Sequence, residues 1–138
     1  MILLDTNVIS EAMKPRPERA VMDWIDSEKP DGLWTCTIVV AEVFSGLDLM
    51  PMGKRQLQLL EKAEYMFETL FAGRICGFDQ SAARAYGKIL KNRQAASRPI
   101  NQMDALVAAT ALAAGAILAT RNTADFEQSG VQLLNPWP

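Results

Sequence analysis

Short apolar runs alternate along the chain with longer segments in which apolar residues recur every three or four positions. The first run, Ile2-Leu3-Leu4, has no polar residue within it. Runs without polar alternation favour strands that are buried on both faces, as in a parallel sheet. We predict five strands, at residues 2–4, 33–37, 75–78, 117–119 and 131–134.

The segments with helical periodicity lie between these runs and carry start and stop signals. Pro51 and Gly53 close one segment, and Gly115 closes another. We predict helices at residues 18–27, 39–49, 54–71, 79–96 and 103–114, the last opened by Asn101 or Gln102. Strands that alternate with helices predict an α/β layer sandwich with a mostly parallel sheet. No repeat, low-complexity tract or linker interrupts the pattern, so we expect one domain over residues 1–138.

Length and composition limit what such a domain can do. The chain has 138 residues, 49% hydrophobic and 22% charged, which is typical of a globular domain with a buried core. Its net charge of −2 excludes a generally basic nucleic-acid coat, but not a local basic strip. There is no histidine, which excludes a Ser-His-Asp triad, a Cys-His dyad, a His-ligated zinc site and RNA cleavage by paired histidines. Any enzymatic chemistry is therefore expected to rest on carboxylates.

The cysteines and the termini indicate the cellular compartment. Cys36 and Cys76 allow at most one internal disulfide and cannot form a tetrahedral thiolate metal site. Both lie in apolar, strand-like segments, and we interpret them as buried thiols in a reducing compartment. The N-terminus lacks the basic region of a signal peptide, and no apolar stretch reaches membrane-spanning length. We therefore expect a cytoplasmic protein with no membrane partner.

Acidic residues fall near the ends of the predicted strands. Asp5 ends the first strand, Glu42 lies about one turn into the helix after the second, and Asp104 lies in the first turn of the helix before the fourth. Asn122 and Asp125 follow the fourth strand and bring further side-chain oxygens to the same region. In an open parallel sheet, ligands bind in the crevice beyond the carboxyl ends of the strands. We therefore expect these side chains to lie close together.

The chemistry of such a group follows from its charge. Three or four acids without matched cations repel one another, and proteins tolerate this arrangement where a hard divalent cation supplies the opposite charge. Oxygen ligands without imidazole favour Mg²⁺, with Mn²⁺ as the alternative, over zinc. Such ions activate water and stabilise the charge of an in-line displacement at phosphorus. The residues therefore indicate metal-assisted hydrolysis of a phosphodiester.

Each of these residues also has a purely structural interpretation. Asp5 is typical of an Asx turn after a strand, and Asp104 is favoured near a helix N-terminus by the macrodipole. Glu42 is a lone glutamate on an otherwise apolar helix. Thr6 and Asn7 are equally typical of a simple turn. Only the three-dimensional positions of the side chains separate the two interpretations.

Five segments, in this order along the chain, resemble the PIN-domain family. They are Met1-Ile2-Leu3-Leu4-Asp5-Thr6-Asn7-Val8-Ile9-Ser10, Ala41-Glu42, Asp104-Ala105, Ala119-Thr120-Arg121-Asn122 through Asp125-Phe126, and Leu134-Asn135-Pro136-Trp137. The last segment is similar to the VapC/FitB-like toxins of bacterial toxin–antitoxin pairs. The resemblance implies a PIN-like three-layer sandwich. It also implies a Mg²⁺-dependent endoribonuclease that a cognate VapB-like antitoxin holds inactive.

The family's three principal acidic positions match Asp5, Glu42 and Asp104. The resemblance implies that Asp5 and Asp104 bind metal directly. It implies that Glu42 binds metal, or positions and deprotonates water. Thr6 and Asn7 match the polar pair after the first acid, and the resemblance implies that they hold the waters of the metal or a phosphate oxygen.

One position departs from the family pattern. Many members have an aspartate directly after the Thr-Arg pair of the fourth strand, where this chain has Asn122. A neutral amide oxygen ligates a metal more weakly than a carboxylate does. Asp125 resembles a further acid of this loop and is the other candidate for a fourth ligand. One metal ion and two metal ions per site both stay open.

Basic residues near the acids are candidates for RNA contact. Arg84, Lys88 and Lys91 follow i, i+4, i+7 spacing and form one stripe on a predicted helix. Arg93 and Arg98 extend this positive charge toward the acids. An ordinary solvated helix face has the same pattern, so both interpretations stay open.

Arg121 directly follows the fourth strand and is the best single candidate for positioning a substrate phosphate. The chain has no aromatic-rich platform of the kind that binds single-stranded RNA sequence-specifically. We therefore predict RNA binding without predicting a preferred sequence.

Two helical segments carry more apolar residues than a small core needs. These residues include Trp24, Leu57, Leu60, Met66 and Phe67. We expect part of this stripe to form an antitoxin groove, into which a partner helix lays its apolar side, or a homodimer face. Packing within the core is the alternative.

Two other functions are compatible with the sequence. One is a non-catalytic PIN-like co-repressor. Asn122 favours this function, whereas the intact Asp5, Glu42 and Asp104 argue against it. The other is a metal-dependent phosphatase of the haloacid-dehalogenase type, which also begins with a strand-end aspartate. That class needs a second aspartate where this chain has Asn7. Cleavage of RNA, or release of phosphate from small phosphomonoesters, would separate these functions.

Overall fold

A five-stranded sheet forms the centre of the computed structural model, which describes residues 1–138. The strands are β1 (Ile2–Leu4), β2 (Leu33–Cys36), β3 (Ile75–Cys76), β4 (Ile117–Ala119) and β5 (Leu133–Leu134). Their order across the sheet is β3-β2-β1-β4-β5, and every neighbouring pair is parallel. The predicted α/β fold with a mostly parallel, roughly five-stranded sheet is confirmed.

Six helices flank the sheet. They are α1 (Thr6–Met13), α2 (Arg19–Ser27), α3 (Thr37–Asp48), α4 (Lys54–Tyr65), α5 (Gln80–Ala95) and α6 (Gln102–Ala114). Short 3₁₀ turns occur at Pro30–Gly32 and Thr123–Asp125. All five predicted strands and all five predicted helices are present, with their ends shifted by a few residues.

Helix α1 is the element that the sequence pattern does not predict. Asp5-Thr6-Asn7 is typical of a strand end followed by a turn, whereas Thr6 and Asn7 form the first turn of a helix. Asp5 is the N-cap of this helix, and its Oδ1 accepts a hydrogen bond from the Thr6 N–H at 2.8 Å. The turn interpretation of Thr6 and Asn7 is therefore wrong, because the aspartate that ends β1 also starts α1.

The end of α4 also differs from the prediction. The predicted helix over residues 54–71 is α-helical at first and continues as a π-helical segment, Met66–Leu70. The Phe71 N–H accordingly bonds to the carbonyl five residues earlier, at 2.9 Å. The Arg74 guanidinium donates to the carbonyl of the last residue of this segment, which stabilises the wider turn.

The helices are divided between the two faces of the sheet. Helix α1 contacts α2, α3 and α4, whereas α5 packs chiefly on α6. Right-handed crossovers that run in opposite directions along the sheet place these two groups on opposite faces. The core is one cluster of 24 buried apolar residues, to which α6 contributes Ala105, Val107, Ala108, Ala109 and Ala111. None of the helices combines the length and the apolar character needed to cross a membrane.

The connections reverse direction at the middle of the sheet. From β1 the chain moves to β2 and β3 on one side, and then returns across the sheet to β4 and β5 on the other. β1 and β4 pair in register up to Leu4 and Ala119. Their carboxyl ends therefore open onto the switch point at which open α/β sheets bind ligands. The residues that follow these two strands are Asp5 and Thr120.

The end of α6 depends on a residue in the left-handed region. Gly115 has φ +65°, and a Cβ at this position would meet no neighbour, so Gly115→Ala should destabilise the protein by about 1 kcal/mol through backbone strain alone. Gly87 lies inside α5, is exposed and also has room for a Cβ. Gly87→Ala should stabilise the protein by about 0.5–1 kcal/mol. Urea unfolding of both variants tests this, and shifts of the same sign would contradict the explanation.

Candidate active site

The Asp5 carboxylate lies at the carboxyl end of β1 and is 5% exposed. Its Oδ1 accepts the Thr6 N–H at 2.8 Å, and its Oδ2 accepts Thr120 Oγ1 at 2.9 Å and Asn7 Nδ2 at 3.4 Å. The two oxygens of an ionised carboxylate offer about four acceptor positions. One position, on Oδ1, therefore stays free for a ligand.

Thr120 is the site residue that sequence reasoning missed. It follows β4, is 0% exposed, and its Oγ1 also accepts Asn7 Nδ2 at 3.2 Å and the Asn122 N–H at 3.1 Å. Its hydroxyl thus joins the ends of β1 and β4 at the switch point. The available signal is a hydroxyl directly after an apolar strand, because a buried hydroxyl needs hydrogen-bond partners.

The side-chain amide of Asn7 makes hydrogen bonds within the protein through both its nitrogen and its oxygen. Its Nδ2 donates to Asp5 and Thr120, and its Oδ1 accepts the Arg121 backbone N–H at 3.1 Å. Both ends of the amide therefore hold the loop after β4 against α1. These contacts position Asp5 and Arg121, and the expected role of Asn7 in holding a water or a phosphate oxygen stays a prediction.

Glu42 lies in the second turn of α3 and is half-buried. Its Oε1 accepts a hydrogen bond from Thr6 Oγ1 at 3.0 Å. This bond connects α3 to α1 and leaves Oε2 without a protein partner. The contact made by the Thr6 hydroxyl therefore orients the Glu42 carboxylate.

Asp104 lies in the first turn of α6 and is half-buried. Asn101 is the N-cap: its Oδ1 accepts the Asp104 N–H at 2.9 Å, and its Nδ2 donates to Asp104 Oδ2 at 2.7 Å. Asn101 thus caps α6 through the Asp104 N–H, and a second bond joins the two side chains, which fits the structural role expected of an acid near a helix N-terminus. It also fixes the Asp104 side chain and leaves its Oδ1 free.

The loop after β4 carries the two candidates for a fourth oxygen ligand. The Asn122 side chain is exposed and makes no hydrogen bond. Asp125 is also exposed, and its charge contributes to raising the pKa of both Asp5 and Asp104. The Asp125 carboxylate is therefore within electrostatic range of the other acids.

Burial and mutual repulsion raise the pKa values of the three principal acids. Burial is the largest cause for Asp5, and the hydrogen bonds from its three donors oppose it. Burial raises the pKa of Glu42, and the charges of Asp5 and Asp104 add to the effect. The pKa of Asp104 is raised first by burial and then by the charge of Asp5. The three carboxylates therefore lie within electrostatic range of one another, and each is harder to ionise than in water.

No lysine or arginine forms an ion pair with any of these acids. The ion pairs of the structure join Lys14 to Glu11, Arg19 to Asp23 and Arg98 to Glu127. The negative charge of the site is therefore not matched by a contacting cation. A divalent ion would relieve this repulsion.

The acids do not close around a common point. No group of three His, Cys, Asp or Glu side chains lies close enough to hold a metal ion by itself. Mg²⁺ usually keeps several waters and takes only one or two carboxylates directly. The free oxygens of Asp5, Glu42 and Asp104 form an all-oxygen donor set that fits such a partly hydrated ion. The acids were expected to lie close together. They are near enough for their charges to interact, but not near enough for three of them to contact one ion.

A buried arginine holds the loop that carries Asp125. Arg93 is 5% exposed, and its guanidinium donates to the carbonyls of Glu127 (2.6 Å), Ala124 (3.3 Å) and Pro99 (3.4 Å). These bonds join the segment after β4 to the segment before α6. The expectation that Arg93 extends a basic surface is wrong, because its charge lies inside the protein.

The other predicted RNA contacts are on the surface. Arg84, Lys88 and Lys91 are exposed on α5 and take part in no ion pair. Arg121 is also exposed, and its backbone is fixed next to Asp5 through Asn7. The charges of all four side chains are accessible to a polyanion.

A groove of about 280 Å³ opens beside Thr6 and Glu42. It lies among α1, α3 and α4 and has apolar and basic side chains on its walls. These further lining residues are Ser10, Met13, Lys14, Pro15, Val43, Gly46, Leu47, Arg55 and Leu59. The groove therefore leads from the surface of α4 to the Glu42 carboxylate.

The residues predicted to bind a partner do not line this groove. They are Trp24, Leu57, Leu60, Met66 and Phe67. Phe67 belongs to the core, and Trp24 and Met66 pack against it. Leu57 is 62% exposed and faces solvent. Core packing, the alternative interpretation of this stripe, therefore accounts for three of its members.

Comparisons with known proteins cover nearly the whole chain. The PIN-domain model matches residues 2–130. Over 99% of both sequences, the chain is 45% identical to the plasmid stability protein StbB of Pseudomonas syringae pv. tomato. It is 42% identical to the VapC ribonuclease Y4jK of Sinorhizobium fredii, over 99% of this chain and 98% of that one. The chain belongs to the PIN-domain family.

A solved structure extends the likeness of this PIN domain to three dimensions. This chain superposes on the crystal structure of FitAcB from Neisseria gonorrhoeae with a TM-score of 0.92 and 39% sequence identity, and the superposition covers 99% of each chain. The resemblance to VapC/FitB-like proteins seen in the sequence is confirmed. Helix α1 and the crevice at the ends of β1 and β4 are therefore parts of a PIN fold.

The repulsion in the site predicts a variant of this PIN domain that is more stable than the wild type. Glu42→Gln removes one charge but keeps an oxygen for the Thr6 hydroxyl. Because the pKa of Glu42 in the folded protein lies above its usual 4.5, the wild type loses stability as pH rises from 4.5 through the raised value. In EDTA at neutral pH we expect a Tm about 2–4 °C higher for the variant.

Thermal unfolding as a function of pH tests this prediction. The difference should vanish below pH 4.5, where Glu42 is protonated in both the folded and the unfolded protein. Glu61→Gln, the same change on an exposed side chain in the interior of α4, is the matched control and should leave Tm nearly unchanged. A Glu42→Gln protein less stable than the wild type at neutral pH would contradict the repulsion.

Proposed function

We propose that this PIN domain is the Mg²⁺-dependent endoribonuclease toxin of a type II toxin–antitoxin pair. The observation that supports this most directly is the set of three mutually repelling carboxylates at the switch point with no contacting cation. The similarity to a named VapC ribonuclease over nearly the full length agrees with it. Asp5, Glu42 and Asp104 would carry the chemistry.

Asp5 and Asp104 would hold the metal ion through their free Oδ1 atoms, with Mn²⁺ as a substitute for Mg²⁺. When bound, the ion supplies positive charge at the phosphate and makes water more acidic. Asp125 is a better candidate than Asn122 for a further ligand, because its charge reaches Asp5 and Asp104.

Glu42 would act as the general base. Its Oε1 is fixed by Thr6, so Oε2 is the atom available to take a proton from the attacking water. Burial and the neighbouring acids raise the pKa of Glu42, which brings its basicity closer to that suited to neutral pH. Attack of the water oxygen on phosphorus breaks the P–O3′ bond and leaves a 5′-phosphate and a 3′-hydroxyl.

The RNA strand would lie along the exposed basic side chains. Arg121 would bind a phosphate beside the acids, and Arg84, Lys88 and Lys91 would bind phosphates farther along the strand. Contacts of this kind release counterions, so binding should weaken steeply with salt. A substrate of this class and two free cysteines agree with a cytoplasmic location.

A VapB-like antitoxin would restrain the enzyme by occupying the groove beside Glu42. Solved structures similar to this chain include toxin–antitoxin complexes of the VapBC and FitAB type. The apolar wall of the groove fits the apolar side of a partner segment, and an occupant there would cover Thr6 and Glu42. The assembly would be a toxin–antitoxin hetero-oligomer or contain a toxin homodimer.

Cleavage of total RNA by the purified, antitoxin-free protein tests the proposed activity. We expect cleavage with Mg²⁺, none with EDTA, and a loss of at least about a hundredfold in Asp5→Asn, because the ion loses its most enclosed ligand. Asp26→Asn, an exposed acid on α2, is the matched control and should cleave like the wild type.

The ends of the fragments decide the mechanism. Ends with a 5′-phosphate would support attack by water, whereas a 2′,3′-cyclic phosphate would mean that the ribose hydroxyl is the nucleophile and that the mechanism is wrong. Absence of both cleavage and Mg²⁺ binding by calorimetry would favour the non-catalytic co-repressor. Release of phosphate from small phosphomonoesters without RNA cleavage would favour the phosphatase.

A further inference from the structure

The Arg121 guanidinium lies over the face of the Trp137 indole, with its central carbon 5.3 Å from the ring centroid. Arg121 comes directly after Thr120, whose hydroxyl bonds to Asp5, and its own N–H bonds to Asn7. The start of the Arg121 side chain is therefore fixed at the edge of the carboxylate crevice. The stack on Trp137 then fixes the other end.

The guanidinium of Arg121 makes no hydrogen bond and no ion pair. The charge of Arg121 affects the pKa of one acid, Glu11. Burial raises the pKa of Glu11, but hydrogen bonds from Lys14 and from the Glu18 N–H outweigh this effect, and the charge of Arg121 adds to the lowering. The Glu11 oxygens accept hydrogen bonds from Lys14 Nζ at 3.1 Å and from the Glu18 N–H at 3.2 Å, and neither oxygen bonds to Arg121. The N–H donors of Arg121 have no protein acceptor in the structure.

Trp137 is held firmly enough to serve as a support. It is half-buried and packs against the hydrophobic core. Its backbone N–H donates to Asn135 Oδ1 at 3.0 Å, and the Leu134 carbonyl accepts the Thr120 N–H at 2.9 Å. The C-terminal segment thus connects the indole to the same strand end that carries Arg121.

Stacking uses the face of a guanidinium and leaves its edge free. Arginine has five N–H donors in one plane, and an aromatic ring over that plane blocks none of them. A planar fork of this kind matches two oxygens of a phosphate. Stacking of an RNA base on the same indole face is disfavoured, because Arg121 already covers that face.

We propose that Trp137 is a positioning residue that holds Arg121 edge-on to the crevice, so that the guanidinium binds an RNA phosphate neighbouring the scissile bond. The inference deepens the proposed ribonuclease function and rests on it for the identity of the ligand. It assigns a role to the C-terminal Leu134-Asn135-Pro136-Trp137 segment beyond packing. Lysine at position 121 would not replace arginine, because an ammonium group cannot form the planar fork.

Binding of a single-stranded RNA oligonucleotide in EDTA, where cleavage does not occur, is the first test. We expect Arg121→Gln to raise Kd about tenfold and to lower the slope of log Kd against log salt by about 0.7, the value for one phosphate contact on a single strand. Trp137→Leu should raise Kd severalfold, whereas Trp137→Phe, which keeps an aromatic face, should bind nearly as the wild type does. Arg19→Gln removes the same charge from α2 and should bind RNA unchanged.

The double variant separates positioning from structural support. If Trp137 acts through Arg121, Trp137→Leu should have little further effect in the Arg121→Gln background. Additive losses, or a Trp137→Phe variant as weak as Trp137→Leu, would overturn the proposal. Thermal unfolding of each variant checks that the protein stays folded, and Trp137→Phe serves as the readout should Trp137→Leu unfold.

Failure of this proposal is distinguishable from failure of the proposed function. RNA cleavage by the wild type tests the nuclease activity alone, whereas the binding measurements in EDTA test the Arg121–Trp137 pair alone. In the cleavage assay the losses should appear in KM more than in kcat. If Arg121→Gln and Trp137→Leu bind RNA as the wild type does, the phosphate assignment is wrong, whatever their effect on antitoxin binding.

Discussion

The hydrogen bond from the Thr120 hydroxyl to the Asp5 carboxylate joins the two strands between which the sheet reverses direction. Hydrogen bonds to charged groups contribute about 1.5–3 kcal/mol, and this one compensates a carboxylate that is only 5% exposed. Because Asp5 is also the N-cap of α1, the same charge fixes where that helix starts. Thr6 and Asn7 in its first turn then hold Glu42 and the loop after β4. The positions of the site residues therefore depend on keeping one charge ionised and nearly buried.

The arrangement of acids in the site is electrostatically unfavourable. Three carboxylates with raised pKa values repel one another, and no cation contacts them. The folded chain tolerates this because other contacts hold the backbone in place. Fully buried alanines such as Ala108 and Ala109 let α6 pack closely in the core, and Arg93 joins the loops on either side of α6 through backbone carbonyls. Stability is supplied by the core, so the carboxylates can stay available for a cation.

The surface around the acids has a consistent electrostatic arrangement. Arg121 at the edge of the crevice is stacked on Trp137 and has free donors, while Arg93 is buried and donates to three backbone carbonyls. Two arginines therefore have opposite roles: one presents charge to solvent, and the other fixes the backbone. The groove beside Thr6 also opens onto the Glu42 carboxylate.

The sequence by itself determined the strands, five of the six helices and the acids at the strand ends, because apolar periodicity, caps and glycines act over a few neighbouring residues. It did not determine α1, since Asp5-Thr6-Asn7 suits a turn as well as a helix start until Thr120 and Asn7 fix the carboxylate. It gave Thr120 no role in the site, placed the Arg93 charge outside, and did not reveal the Arg121–Trp137 stack. Each depends on contacts between residues distant in the chain, which only the packing of β1 against β4 creates. Burial and hydrogen bonding are properties of that packing, and only the tertiary structure could decide them.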